Sequence, residues 1–174
     1  MLVLRWLAIL ALVSCAAALV PESRDPQTKL NQAATLFQNG RPVGALTLVK
    51  QAVPLFEEKK DQEGLARAYL AYGDIYKAGV NNVEPILPNF TASAESYVRA
   101  AEIYHSMKFF LSESMYLWFA GSMYGKTDKK AEACSAIARS IKAYDPKAID
   151  KTRYEHTEAL PERINLEAKK QGCP

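Results

Sequence analysis

The sequence contains few of the residues that build catalytic and metal sites. It has two histidines and three cysteines in 174 residues, and it carries no Gly-x-Ser-x-Gly nucleophile motif. Glu102 and His105 form a single Glu-x-x-His, where a di-iron bundle needs two such motifs and further carboxylates. We expect this pair to be an ion pair on a helix surface, and His156 has no second histidine at metal-ligand spacing. The sequence therefore predicts no enzyme activity, no metal, no cofactor and no small-molecule substrate.

Strong charge and long apolar runs are also missing. The formal charge of +3 at pH 7 is too small to indicate a nucleic-acid partner. After residue 14, no apolar stretch reaches the roughly 20 residues that a membrane-spanning helix needs. The alternation of apolar and polar residues that marks strands is absent, whereas Ala, Leu, Tyr, Lys and Glu recur with a helical period. We predict an all-α fold.

The first fifteen residues are typical of an export signal. Arg5 precedes an apolar run at 6–13 that is too short to span a bilayer. The run ends in Leu12-Val13-Ser14-Cys15, which resembles a bacterial lipobox. The resemblance implies cleavage before Cys15 and attachment of acyl chains such as palmitate, which together anchor a protein firmly. The alternative is a secretory signal cut near residues 16–18, which leaves a soluble secreted or periplasmic protein.

The lipobox resemblance also implies a location and a domain organisation. Residues 16 and 17 are both alanine, so the aspartate that retains many lipoproteins in the inner membrane is absent. We therefore expect an outer-membrane lipoprotein that faces the periplasm. Residues 1–14 are the predicted signal peptide, 15–27 the lipidated terminus and linker, and 28–174 the helical domain.

A spaced pattern of small and large residues recurs along this domain. Gly73 precedes Tyr76 by three residues, and Gly121 precedes Tyr124 by three, each pair within an amphipathic segment. These segments resemble the first helix of a tetratricopeptide repeat, in which a small residue lets the paired helix approach. The positions that fit are Ala33, Leu36, Gly40, Ala45, Val49 and Ala52 in a first unit, Gly73, Tyr76, Ser93, Tyr97 and Ala100 in a second, and Gly121, Tyr124, Ala133, Ile137 and Ser140 in a third.

The resemblance covers about residues 26–145 and implies a right-handed superhelix of about three helical hairpins. Two further helices, predicted at 147–160 and 161–171, would form the C-terminal cap that a solenoid end requires. The sequence departs from the repeat at three places: Ala33 replaces the expected glycine, Pro54 is expected to kink the second helix, and a loop is inserted at 80–88. An unrelated helical bundle is the alternative fold.

In tetratricopeptide proteins the first helices line a groove that binds other proteins. The resemblance implies an aromatic and basic groove suited to a partner with acidic and apolar residues. Trp118 would be its main anchor, although Trp118 and Phe119 can equally be core, because 116–119 is apolar on every face. The groove positions are Leu30, Phe37, Arg67, Leu70, Asp74, Lys77, Met115, Trp118, Ser122 and Lys126.

Two cysteines remain once Cys15 is assigned to lipidation. In an oxidising periplasm, Cys134 and Cys173 can form a disulfide that fastens the C-terminal tail to the third unit. The alternative is two unpaired thiols, with Cys134 a small core residue.

Asn89-Phe90-Thr91 fits a glycosylation acceptor, which has no meaning in a bacterial lipoprotein.

These features together predict a protein that binds another protein without catalysis. The first expectation is an adaptor or scaffold in the assembly of an envelope complex, such as pilus, secretion or outer-membrane machinery. A second is an immunity lipoprotein that neutralises a secreted antibacterial toxin. A third, from another class, is an envelope hydrolase acting on peptidoglycan or lipid, which would need a carboxylate pair that the sequence does not reveal.

Overall fold

A computed structural model describes residues 23–79, 88–145, 147 and 159–174. The predicted signal peptide and its lipidation site at Cys15 lie outside the described residues. So do His156, most of the inserted loop and nearly all of the helix predicted at 147–160.

The described residues form seven α-helices and no strand, which confirms the all-α prediction. No helix among them is long and apolar enough to cross a membrane. The helices are α1 Pro26–Gln38, α2 Pro42–Glu58, α3 Gln62–Ala78, α4 Phe90–Ser106, α5 Phe110–Tyr124, α6 Lys130–Ala143 and α7 Leu160–Gln171.

Side-chain caps explain where three of the helices begin. Asp25, Asp61 and Asn89 precede α1, α3 and α4, and each carboxylate or amide oxygen accepts a backbone N–H three residues further on at 2.8 to 2.9 Å. Such caps satisfy one of the N–H groups that a helix start leaves without a partner. Asn89 of the glycosylation-like triplet is therefore a helix cap. The cap at Asp25 starts α1 at Pro26, within the segment predicted as linker.

Backbone conformation accounts for the end of α1 and the course of α2. Gly40 follows α1 with φ 74°, a left-handed conformation that favours glycine. Helix α2 continues through Pro54 to Glu58. Pro54 and Lys50 are both exposed, so water can reach the Lys50 carbonyl that the proline leaves without its helical donor.

Each helix packs against the next one along the chain. In addition, α1 contacts α3, and α5 contacts α7. Buried side chains form three apolar clusters. The first joins α1, α2 and α3 around Val49 and Phe56. The second lies around Tyr97 and Leu117, from α3 to α6. The third joins α5, α6 and α7 and contains Leu111, Ile137, Leu160 and Ile164.

Two glycines allow helices to approach where the sequence pattern placed a small residue against a large one. A Cβ on Gly73 would lie 2.6 Å from the Tyr97 ring, and one on Gly121 would lie 2.6 Å from Cγ1 of Ile137. Both distances are shorter than van der Waals contact. The structure thus brings together residues that the repeat pattern had picked out separately.

Buried serines add hydrogen bonds at the same helix crossings. The Ser93 hydroxyl donates to the Gly73 carbonyl at 2.8 Å. Ser114 and Ser140 each donate to the other's carbonyl, at 2.8 and 2.6 Å. Besides being small enough for close packing, each of these serines therefore joins two helices by a buried hydrogen bond.

Cys134 and Cys173 form a disulfide with 5.3 Å between their Cα atoms. This distance agrees with the predicted pairing. The bridge holds the chain end after α7 against α6. Leu160 and Ile164 of α7 complete this attachment by packing into the third cluster.

Candidate functional site

Four of the ten predicted groove residues gather in one cavity between α1 and α3. Leu30 and Phe37 come from α1, and Asp74 and Lys77 come from α3. We call this cavity, of about 290 Å³, the α1–α3 pocket. Its lining is mostly apolar, with two charged side chains, and consists of Leu30, Ala33, Ala34, Phe37, Ala71, Asp74, Ile75, Lys77 and Ala78.

The charged side of the pocket is held by a short network. Oδ1 of Asp74 accepts a hydrogen bond from the Tyr97 hydroxyl at 2.7 Å and one from Nζ of Lys77 at 2.8 Å. Burial, and next the hydrogen bond to Asp74, raise the pKa of Tyr97 far above its usual value. The hydroxyl therefore remains a donor. It holds the Asp74 carboxylate in place beside Lys77.

Lys77 also lies beside two aromatic rings that sequence reasoning did not assign to the site. Its Nζ is 5.8 Å from the Tyr97 ring centroid and 5.9 Å from that of Phe119. These distances are within the range of cation–π attraction. Lys77 thus links the α1–α3 pocket to α5, where Phe119 lies.

Trp118, the predicted anchor, is neither fully exposed in a groove nor fully buried in the core. Its ring stacks on Phe119 with 4.9 Å between centroids. The side chain is half-buried and packs against the third cluster, which includes residues of α7. Its Nε1 is buried and has no hydrogen-bond partner among the described residues.

The other predicted residues do not line the α1–α3 pocket. Arg67 donates to Oε1 of Gln27 at 2.8 Å and thereby connects α3 with α1. Lys126 places its Nζ 4.7 Å from the Phe90 ring centroid. The three that remain, all half-buried, are Leu70, Met115 and Ser122.

The small residues that leave space for the pocket were not predicted. Ala71, Ile75 and Ala78 follow one another at intervals of four and three along α3, which places them on one face of the helix. This run of small and aliphatic residues is the signal that could have located the cavity.

His105 corrects a prediction, because its partner is Glu113 and not Glu102. Nδ1 of His105 lies 2.8 Å from Oε2 of Glu113, which is 8% exposed. Glu102 instead lies 3.4 Å from Arg99. The His105–Glu113 pair joins the end of α4 to the first turn of α5. Both residues line a separate cavity of about 530 Å³.

Comparison with protein-family models, curated proteins and solved structures gives no match. Within the described parts of the chain, no group of His, Cys, Asp and Glu side chains is arranged to hold a metal ion. The function proposed next is therefore based on the residues of this chain.

Proposed function

We propose that this chain is a non-enzymatic lipoprotein that binds a protein partner as an adaptor or scaffold in the assembly of an envelope complex. Cys15 anchors it in the outer membrane, and the helical domain faces the periplasm. In this proposal, α1 to α6 form a right-handed superhelix of about three tetratricopeptide-like hairpins, and α7 belongs to the C-terminal cap. The partner binds on the face formed by the first helices α1, α3 and α5.

The α1–α3 pocket is the observation on which this proposal rests. Its floor is apolar, and Asp74 and Lys77 stand at one side with exposed side chains. Concave apolar sites with a few fixed polar groups are where proteins bury an anchoring group of a ligand. The pocket therefore suits an apolar side chain of a partner, with an acidic neighbour beside Lys77.

Two further features support the proposal. Lys77, Phe119 and Trp118 follow one another through the ring contacts described above, so a bound segment could extend from the pocket towards α5. The Cys134–Cys173 disulfide is typical of proteins in oxidising compartments such as the periplasm.

Partner capture with matched variants tests the proposal. Phe37→Ser removes an apolar lining group, and Lys77→Glu reverses the charge at the rim. We expect each to lower recovery of the specific partner from envelope extracts at least about tenfold, which corresponds to roughly 1.4 kcal/mol of binding free energy. Quantitative mass spectrometry of proteins retained by the immobilised mature chain is the measurement.

Lys169→Glu provides the matched control, because Lys169 is an exposed lysine on α7, away from the pocket. Its recovery profile should equal that of the wild type. The exposed Lys77–Asp74 ion pair contributes little to stability. Lys77→Glu also removes the ring contacts and places a second carboxylate beside Asp74, so its melting temperature should fall slightly while the chain stays folded. Equal recovery by the folded pocket variants and the control would reject the pocket as the binding surface.

A further inference from the structure

A second groove lies on a different face of α3, between α2 and α4. We call it the tyrosine groove, because three tyrosines of α3 form its floor. Its volume of about 610 Å³ is larger than that of the α1–α3 pocket. The residues that line it are Val43, Leu46, Thr47, Lys50, Tyr69, Tyr72, Tyr76, Ala92, Glu95, Ser96 and Arg99.

The tyrosine rings form a continuous strip. The centroids of Tyr69 and Tyr72 are 6.3 Å apart, and those of Tyr72 and Tyr76 are 6.0 Å apart and nearly parallel. Spacings of three and four residues place all three rings on one side of α3. Tyr69 and Tyr76 are seven positions apart on α3, a rise of about 10 Å.

The hydroxyls of the three tyrosines add polar groups to this strip. These hydroxyls have no hydrogen-bond partner among the described residues. Burial, and then the neighbouring Tyr76 and Tyr69, raise the pKa of Tyr72 to about 12. Its hydroxyl therefore stays protonated at physiological pH and can donate a hydrogen bond. A half-buried ring with a free hydroxyl has an apolar body and a polar tip, which suits an interface.

The α2 wall of the groove exposes aliphatic surface. Val43 is 49% exposed, one of three large hydrophobic residues with such exposure in the described part of the chain. Leu46 lies beside it and is half-buried. Aliphatic groups next to aromatic ones are typical of the centre of protein interfaces.

The charges on the two walls leave an excess of positive charge. Lys50 stands on α2 without an ion-pair partner among the described residues. Arg99, on α4, lies 3.4 Å from Glu102, in a pair that is largely exposed. Glu95, the acidic residue in the lining, lies 3.7 Å from Lys129. An arriving carboxylate would therefore meet an unpaired lysine on one wall and an exposed arginine on the other.

We propose that the tyrosine groove is a second protein-binding surface and that it takes an acidic amphipathic segment of another protein. Apolar side chains of that segment pack on the tyrosine strip and Val43. Its carboxylates contact Lys50 and Arg99, and they accept hydrogen bonds from the tyrosine hydroxyls. This proposal does not depend on the α1–α3 pocket, because the two cavities share no lining residue.

Selection of peptides from a random library displayed on phage, with the purified mature chain as the target, provides the test. We expect enriched peptides that combine Asp or Glu with aliphatic or aromatic residues. The affinity of these peptides should be at least about tenfold lower for the Tyr72→Ala variant than for the wild type. It should fall equally for the double variant Lys50→Glu, Arg99→Glu. The double charge reversal should also change the selected peptides from acidic to basic. Lys169→Glu, on α7 and outside both cavities, is the control and should bind these peptides like the wild type.

Two further variants separate a lost contact from a lost fold. Val43→Ser changes an exposed side chain, and Tyr72→Phe removes only a hydroxyl, so both should melt like the wild type and still weaken binding. Selected peptides that lack acidic residues, or that bind the groove variants normally, would overturn the proposal. Failure to enrich any peptide would also overturn it. So would self-association of the wild type that disappears in Val43→Ser, because the groove would then bind a second copy of this chain, or binding of soluble glycans at the tyrosines.

Discussion

At the scale of single residues, the helix crossings depend on the absence of a side chain at two positions. The ring that faces Gly73 is fixed, because the Tyr97 hydroxyl is bound to Asp74. The group that faces Gly121 is equally stiff, because Ile137 is β-branched and the Ala133 carbonyl lies 3.2 Å from where a Cβ would be. Neither neighbour can move without shifting a helix.

We therefore predict that Gly73→Ala and Gly121→Ala each lower the free energy of unfolding by about 1 to 3 kcal/mol, the usual cost of overpacking a core. The cost exceeds the gain of roughly 0.5 to 1 kcal/mol that alanine brings within a helix. Urea denaturation followed by circular dichroism measures the difference.

Gly44 of α2 supplies the control for both variants. A Cβ there would meet only the terminal Cδ1 of Leu36, at 3.2 Å, and a half-buried leucine can adjust. Gly44→Ala should be as stable as the wild type or slightly more stable. Equal losses at all three glycines would mean that close helix approach does not explain the effect.

The residue scale also shows which contacts a sequence can reveal. Gly73 and Tyr97 were both picked out by the repeat pattern, but their contact was not predicted, because the inserted loop separates them by 24 residues where Gly121 and Ile137 are 16 apart. The His105–Glu113 contact was not predictable, since it depends on how the turn at 107–109 directs α5. The tyrosine strip was visible as a periodic pattern, but the same pattern suits a buried helix face. Only the separation of α2 from α4 leaves those rings partly open.

At the scale of elements, α7 is held by one covalent bond and a small apolar contact. The disulfide joins residues separated by 39 positions. In the chain-entropy model, a loop of that length stabilises the folded state by roughly 4 kcal/mol. The apolar contribution comes chiefly from Leu160 and Ile164.

We predict that Cys134→Ser with Cys173→Ser lowers the stability of the chain by up to about 4 kcal/mol. The loss should be greatest in α7, whose amides should exchange hydrogen faster than those of α5. Hydrogen exchange and thermal unfolding measure the two effects. Treatment of the wild type with a reductant should reproduce the result, and unchanged exchange in α7 would contradict the prediction.

The elements themselves were largely predictable, and their ends less so. Helical periodicity indicated an all-α domain, and a proline in the first turn indicated the helix near 161. The start of α1 was placed two residues too late, although Asp25 followed by Pro26 is a common helix beginning. Pro54 was expected to kink α2, and the helix continues through this exposed proline to Glu58.

At the scale of the whole molecule, the proposed membrane attachment depends on one residue outside the described part of the chain. We predict that Cys15 carries the lipid. The wild type should partition into detergent, and the mass of its N-terminal peptide should include acyl chains. Cys15→Ser should release the protein from the membrane or mislocalise it.

Lys169→Glu is the appropriate control for that experiment, since it changes an exposed residue of α7 and leaves the proposed acyl acceptor and the disulfide in place. It should remain in the membrane fraction. An unmodified N-terminus near residue 19 would replace the anchor with a soluble, secreted or periplasmic protein and would leave both binding proposals open to separate test.

Two cavities on different faces of α3 would give the whole molecule a bridging geometry. Lys77 and Asp74 belong to one cavity, whereas Tyr69, Tyr72 and Tyr76 belong to the other. Partners on the two faces would be separated by little more than the width of one helix, about 10 Å. A protein of this size could therefore hold two partners close together, as an assembly adaptor must.

The disulfide near the end of the chain has a mechanical consequence. A pull applied to the chain beyond Cys173 passes through the sulfur atoms to Cys134 on α6. Residues 135 to 172 are then bypassed and bear no tension, and the loaded path between the two termini is shorter by that loop. In a force spectrometer, the oxidised chain should extend less on unfolding than the reduced one. A chain cross-linked in this way would therefore remain shorter under load than the reduced chain.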